Sequence, residues 1–288
     1  MRDLNFQLKT LCHRHKEGSY RTRHDRHTQL QLIATQLHDL GFRHLHASGL
    51  KQKHVQALVA HWQSTQISDG VIKNRMAVIR WWAQKADCSA AVAKDNSVYG
   101  IGRRQLVASY DKSIPLNQAK LDSIQDPYVR ASLLLQHHFG LRREEAIKFQ
   151  PRYADQGNHL RLKGSWTKGG KVRTIPIRTE QQREVLNQIK TIAGGGAMIP
   201  AHLNYVQQLR RYEYHTAHAG MSKCHGLRHG YAQRRYQELT GWLAPAAGGP
   251  KSAQLTSSQK QKDLEARLMI SGELGHEREQ ITAVYLGR

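Results

Sequence analysis

The chain has 288 residues, with 44 Lys and Arg against 22 Asp and Glu, a formal charge of +22, and 18 histidines able to add positive charge in an anionic field. That length allows two domains with a core each, and an excess of cations spread through both the first 96 residues and the remainder calls for a polyanion contacted along much of the protein, beyond what solubility needs. No membrane host is expected, because no apolar run approaches the ~20 residues of a spanning helix and MRDLNFQLKT lacks an apolar h-region.

The first part of the chain reads as helical. Residues 29–42 (QLQLIATQLHDLGF) repeat apolar positions at helical intervals and stop near Gly41, and residues 51–66 do the same. Residues 68–86 open on Ser68 as an N-cap and interleave Lys73, Arg75 and Arg80 with Val71, Ile72, Val78, Ile79, Trp81 and Trp82. One face enters a core while the other is free to meet phosphate; for the two tryptophans core packing outweighs base stacking. Residues 87–117 lose the periodicity and read as a connector. Its GIGRR stretch does not complete a GxGxxG loop and follows no strand, so a nucleotide site is not expected.

Helices resume at residue 118 with one interruption. HLRLKGSWTKGGKVRTIPI (159–177) has a hairpin pattern: Leu160 and Leu162 alternate with polar residues, Val172, Ile175 and Ile177 mark the return strand, and Lys168-Gly169-Gly170 supplies the turn. Helical patterns follow at 180–193, 201–218, 226–240 and 263–284, whereas the Gly-, Pro-, Ala- and Ser-rich segment 241–261 reads as a mobile loop. The fold class is therefore mainly α with a small antiparallel β-sheet (α+β) in the second domain. Three widely spaced cysteines without CxxC spacing, Cys12, Cys88 and Cys224, read as reduced thiols of a cytoplasmic protein.

Four local patterns carry chemistry. FGLRREEA (139–146) ends a helix at Gly140, sets Arg142 at the turn and puts Glu145 one helical turn on. TKGGKVRTIPI (167–177) carries Lys168 at the hairpin tip. HGLRHGYA (225–232) spaces His225 and Arg228 by three, so both project from one face of a helix. LGHEREQITAVYLG (274–287) sets His276 nine positions ahead of Tyr285. Singly, each has an ordinary reading: a surface ion pair for Arg142 and Glu145, a solvated Lys168, a packing aromatic for Tyr285. His225 and His229 have i,i+4 spacing, but HGLRH lacks the glutamate of HExxH and no third ligand stands at a fitting interval, so no metal is expected.

Together and in this order, the patterns resemble the tyrosine recombinases, the lambda-type phage and mobile-element integrases. That family's catalytic domain carries an arginine after Gly-Leu, a lysine at a β-hairpin tip, an H-x-x-R box, an L-G-H box and a tyrosine nine residues past its histidine. Arg142, Lys168, His225, Arg228, His276 and Tyr285 match those places one by one. The resemblance implies a helical core-binding (SAM-like) domain at 1–95, a linker at 96–117 and a catalytic domain at 118–288 with an insertion at about 241–261, closing on duplex DNA as a C-shaped clamp. It implies a site-specific recombinase acting through a 3′-phosphotyrosyl link, integrating or excising a mobile element without cofactor, metal or ATP. It also implies a homotetramer on DNA, a monomer without it, and accessory bending or directionality factors. The alternatives are a type IB topoisomerase-like enzyme and a non-catalytic DNA-binding protein of the same fold.

The chemistry is coherent on its own terms. Two guanidiniums, Arg142 and Arg228, can neutralise the non-bridging oxygens of a phosphodiester and the charge gathering in its transition state. Phenols titrate near ~10, so a tyrosine nucleophile improves beside cations. His225 is the proton acceptor or orienter, and His276 bonds the phosphate or buttresses Tyr285. The resemblance gives Lys168 protonation of the leaving 5′-oxygen, and Glu145 orients the site from behind. Candidate DNA contacts are Arg21, Arg23, Lys73, Arg75, Arg80, Arg103, Arg104, Lys171 and Arg173.

Overall fold

The computed structural model describes residues 3–103, 107, 110–276 and 278–288. The chain divides into two compact units, Met1–Gln105 and Leu106–Arg288. The architecture is mainly α-helical with a small antiparallel two-stranded sheet. Among the described residues no helix is long and apolar enough to cross a membrane.

The first unit is built on α1 (Asp3–Arg14), α2 (Tyr20–Asp39), α3 (Gln52–Ser64) and α4 (Asp69–Lys85). The helical spacing of Leu30, Ile33, Ala34 and Leu37 on α2, of Val55, Leu58, Val59 and Trp62 on α3, and of Ile72, Met76 and Ile79 on α4 closes one core. Trp82 is fully buried there, as core packing requires, and its indole donates to the Ala47 carbonyl at 2.8 Å; Trp62 donates to Gln36 at 2.9 Å. These bonds remove the cost of burying an N–H, leaving each ring's apolar area as net gain. Trp81 is only partly buried, with the Arg26 guanidinium 4.2 Å above its ring. Helix α2 starts at Tyr20, well before residue 29, because the Ser19 hydroxyl caps it by accepting from the Thr22 N–H.

The second unit opens with α5 (Gln118–Ser123), α6 (Pro127–Phe139), α7 (Arg143–Ile147) and α8 (Pro151–Ala154). The hairpin β1 (His159–Leu162) and β2 (Arg173–Pro176) follows, then α9 (Glu180–Ala193), α10 (Tyr205–His218), α11 (Gly226–Thr240), α12 (Ser257–Glu273) and α13 (Glu279–Leu286). Phe139, Leu141, Phe149, Leu160, Leu162, Ile175, Leu186, Tyr231, Tyr236 and Ile270 meet in its main core. In the hairpin, Leu160 pairs with Ile175 and Leu162 with Arg173, so Arg173 shares the buried face of β2 with Ile175. The turn is wider than three residues, since residues 163–172 loop between the strands with Trp166 buried inside and Val172 outside β2.

Two further expectations change. The helical pattern at 263–284 is two helices, because Gly275 at φ +68° ends α12 in the left-handed region and turns the chain before α13. Segment 241–261 is not a loose loop: Ala244 and Leu255 are buried, Trp242 donates to the Tyr236 hydroxyl at 3.2 Å, and α12 begins at Ser257 behind its Thr256 cap.

Gly140 closes α6 at φ +61°, and a Cβ there would lie 2.5 Å from Tyr231 Cδ1. Gly140→Ala should therefore cost about 2–5 kcal/mol, combining left-handed strain with overpacking. Urea unfolding should show a lower midpoint with an unchanged slope.

Candidate active site

The centre of the site is a buried carboxylate. Arg142 stands at the N-cap of α7 and Glu145 three residues on, so the Glu145 carboxylate accepts the Arg142 backbone N–H at 2.7 Å and its Nη1 at 2.8 Å. From β2, Arg173 donates Nη1 to Glu145 Oε1 at 2.9 Å and Nη2 to Oε2 at 2.7 Å, with a third bond from Nη1 to the Leu274 carbonyl at 3.1 Å. From α11, Arg228 brings Nη1 to 4.0 Å from Glu145. Burial alone would raise the Glu145 carboxyl; Arg173, then Arg228 and Arg142, hold it below its usual range, so it stays ionised.

Arg228 is wholly buried and has three acceptors: the carbonyls of Gly140 and Leu274, and the Tyr285 hydroxyl, which takes Nε at 3.3 Å. Both carbonyls are free because a left-handed glycine ends the helix at each place, Gly140 in FGLR and Gly275 in LGH. Burial, opposed by Tyr285 and reinforced by Arg142 and Arg173, pushes Arg228 down to about 10, which leaves it charged at neutral pH.

Tyr285 is 5% exposed, its ring in the core and its hydroxyl on Arg228. Three imidazoles surround it, with ring centres 4.6 Å away for His229, 5.7 Å for His276 and 6.1 Å for His225. Among the described residues, His276 Nε2 is buried without a hydrogen-bond partner. Burial and then the neighbouring arginines lower His276 to about 3, while burial, Arg228 and Arg142 lower the more solvent-accessible His225 to about 4. His229 is lowered to about 4 by burial, His225 and Lys112, against the pull of Asp111. All three are neutral at neutral pH.

Lowered imidazole pKa values have a sign in stability. Below ~6.5 the unfolded chain takes up protons that the folded one refuses until near 4, so stability falls as pH drops through that window. For the buried His229 this amounts to about 2 kcal/mol at pH 5. Melting temperature should fall from pH 7 to 5, and His229→Gln, which does not titrate, should flatten the profile; a parallel profile would contradict the shift.

Five of the six predicted site residues, Arg142, His225, Arg228, His276 and Tyr285, thus meet with Glu145. Lys168 sits exposed at the tip of the hairpin loop, with no side-chain ion pair or hydrogen bond among the described residues. Arg173 is a correction: it was expected at DNA, yet it is 8% exposed and committed to Glu145, because the alternation of β2 turns it inward. His229 joins these residues at Tyr285 and is not a metal ligand in the sequence pattern; its i,i+4 spacing from His225 is the signal that puts it on the same face. Among the other expected DNA contacts, Arg80 donates to the Ala93 carbonyl and to Asn96, and Arg75 lies over the Trp62 ring. Arg21 pairs with Asp25 on the exposed start of α2, Arg23 and Lys73 are partly buried, and Arg103 and Lys171 are exposed; Arg104 lies outside the described residues.

Fold and site together define a class: a strongly basic, mainly helical protein whose Tyr285 hydroxyl is bonded by one buried arginine, beside two more that share a buried carboxylate. Residues 1–90 match the family model described as "Phage integrase, N-terminal", and residues 108–234 match the one described as "Integrase". Among solved structures, the chain is similar to the Tn1549 transposon integrase in complex with circular intermediate DNA, at 14% identity and a TM-score of 0.58, over 100% of this chain and 96% of that one. It is similar to the XerH site-specific recombinase bound to palindromic difH substrate (13% identity, TM-score 0.61, 99% and 81% covered). It is also similar to a lambda integrase dimer bound to a COC′ core site (14% identity, TM-score 0.60, 99% and 96% covered). At these identities the structural likeness shows the fold. No curated protein sequence matches the chain. The chain belongs to the tyrosine recombinase, or integrase, family, and its activity is of that family's type, site-specific DNA recombination.

Proposed function

We propose that the protein cuts and rejoins duplex DNA at a specific site, integrating or excising a mobile element through a 3′-phosphotyrosyl intermediate. The observation that carries this reading is the Tyr285 hydroxyl on Arg228 Nε, with that guanidinium pinned to two backbone carbonyls beside Arg142 and the open Nε2 of His276. In the scheme, the Tyr285 oxygen attacks phosphorus and a new P–O bond forms as the bond to the 5′-oxygen breaks. The phenol proton passes to neutral His225, and Lys168, swung in from the hairpin tip, protonates the leaving 5′-oxygen. Arg142 and Arg228 balance charge on the non-bridging oxygens, and His276 bonds one of them. A 5′-hydroxyl of a partner strand then reverses the step, so the bond energy is stored without ATP, cofactor or metal.

In the same reading, residues 1–95 form a core-binding domain, 96–117 a linker and 118–288 the catalytic domain. The two domains close on the duplex as a C-shaped clamp, supported by the spread of cationic charge through both parts of the chain. The protein is a monomer when free and a tetramer on two duplexes, works with accessory bending or directionality factors, and acts on cytoplasmic, nucleoid-associated DNA. The test is denaturing electrophoresis of the protein with a nicked duplex bearing its site. A covalent adduct whose DNA maps to the peptide containing Tyr285 is expected; attachment elsewhere, or none with the correct site, would refute the scheme.

A further inference from the structure

We infer that Arg173 is a positioning residue that absorbs the charge of Glu145, leaving the charges of Arg142 and Arg228 to the scissile phosphate. This rests on the strand-cleavage reading above.

Three guanidiniums converge on one buried carboxylate. Arg142 bonds Glu145 at 2.8 Å and Arg228 stands 4.0 Å away, so both are within its pull. Of these three, Arg173 alone takes both carboxylate oxygens from its side chain, at 2.9 and 2.7 Å, while bonding the Leu274 carbonyl at 3.1 Å. The arrangement is tight: a Cβ on Gly275 would lie 2.8 Å from Arg173 Nη1, so the loop leading to His276 passes over the guanidinium only because that residue is glycine. Arg173 is 8% exposed and lies on the inner face of β2, behind the carboxylate and away from solvent.

Charge bookkeeping gives the role. With Arg173 present, three cations face one anion and a net of two positive charges remains. A phosphodiester brings one negative charge, and a second gathers on its oxygens as the pentacoordinate state forms. Without Arg173, the net falls to one, and a buried, under-compensated carboxylate draws Arg142 and Arg228 toward itself. A lysine would keep the charge, but a single ammonium cannot hold both carboxylate oxygens and the Leu274 carbonyl in the fork geometry seen here.

The test uses single-turnover cleavage of a nicked duplex, with either a normal phosphodiester or a methylphosphonate at the cut. The methylphosphonate lacks one non-bridging charge, so a site short of one cation is less handicapped on it. We expect R173M to bind DNA within about 3-fold of wild type, to cleave the phosphodiester about 100-fold more slowly, and to lose less than about 10-fold on the methylphosphonate. The double variant E145Q/R173M, which removes both charges, should recover at least about 10-fold of the loss. Equal losses on the two linkages overturn the inference, as does a folded double variant no faster than R173M. Should R173M alone fail to fold, the double variant decides: wild-type-like stability with cleavage on both linkages supports the inference, and a folded, inactive protein ends it. Absence of any wild-type adduct would instead refute the strand-cleavage reading, leaving the two failures distinct.

Discussion

Tyr285→Phe should bind duplex DNA as strongly as the wild type and form no covalent adduct with it. The ring is packed in the core of the second unit and phenylalanine preserves that packing. What disappears is one oxygen, whose hydrogen bond from Arg228 Nε is long at 3.3 Å. Arg228 keeps its bonds to the Gly140 and Leu274 carbonyls, so the stability loss should be about 1 kcal/mol, that of one modest hydrogen bond. Binding is carried by many cations spread through a chain of net charge +22, and none of them is changed. Chemistry has no such reserve, because a benzene ring offers no nucleophile to phosphorus. Filter binding and denaturing electrophoresis on the same nicked duplex measure the two quantities side by side. Residual adduct at even a few per cent of wild type would mean another residue attacks.

Arg228→Met should slow strand cleavage by about 10²–10³-fold, the worth of one preorganised donor at developing charge. It should also destabilise the second unit by about 2–5 kcal/mol, because two buried carbonyls, Gly140 and Leu274, lose a charged donor. Arg228→Lys should rescue little: one ammonium cannot serve two carbonyls and the Tyr285 hydroxyl, which face a fork of three nitrogens. Non-specific DNA affinity should fall only slightly, since Arg228 is wholly buried and other cations make the backbone contacts. Single-turnover kinetics, urea unfolding and binding at two salt concentrations separate these effects. If affinity and cleavage fell together by the same factor, Arg228 would be a binding residue and no more.

Much of the fold was legible because its signals are local. Apolar spacing marked α3 and α4, and Thr179 and Asn204 cap α9 and α10 near the ends expected of them. Where local signals compete, the structure departs from them. An apolar periodicity running from residue 263 to 284 hid a break that a single glycine imposes, and the small residues of 241–261 suggested mobility although Ala244 and Leu255 are buried. Composition reports how easily a segment bends, not what it packs against.

The sequence by itself determined the mainly helical class, the excess of cations that calls for a polyanion, and the groups around Tyr285 other than His229. It could do so because charge, 3.6-residue spacing, helix-ending glycines and the interval from His276 to Tyr285 are all properties of short stretches. Only the tertiary structure decided which arginines serve which charge. Arg173 looks like one more basic residue beside an exposed hairpin tip, until β2 pairs with β1 and turns it onto a carboxylate 28 positions earlier. Burial of a charge depends on which elements meet and on what partner waits there, and in low dielectric that meeting makes the difference between a surface cation and the group that balances the site.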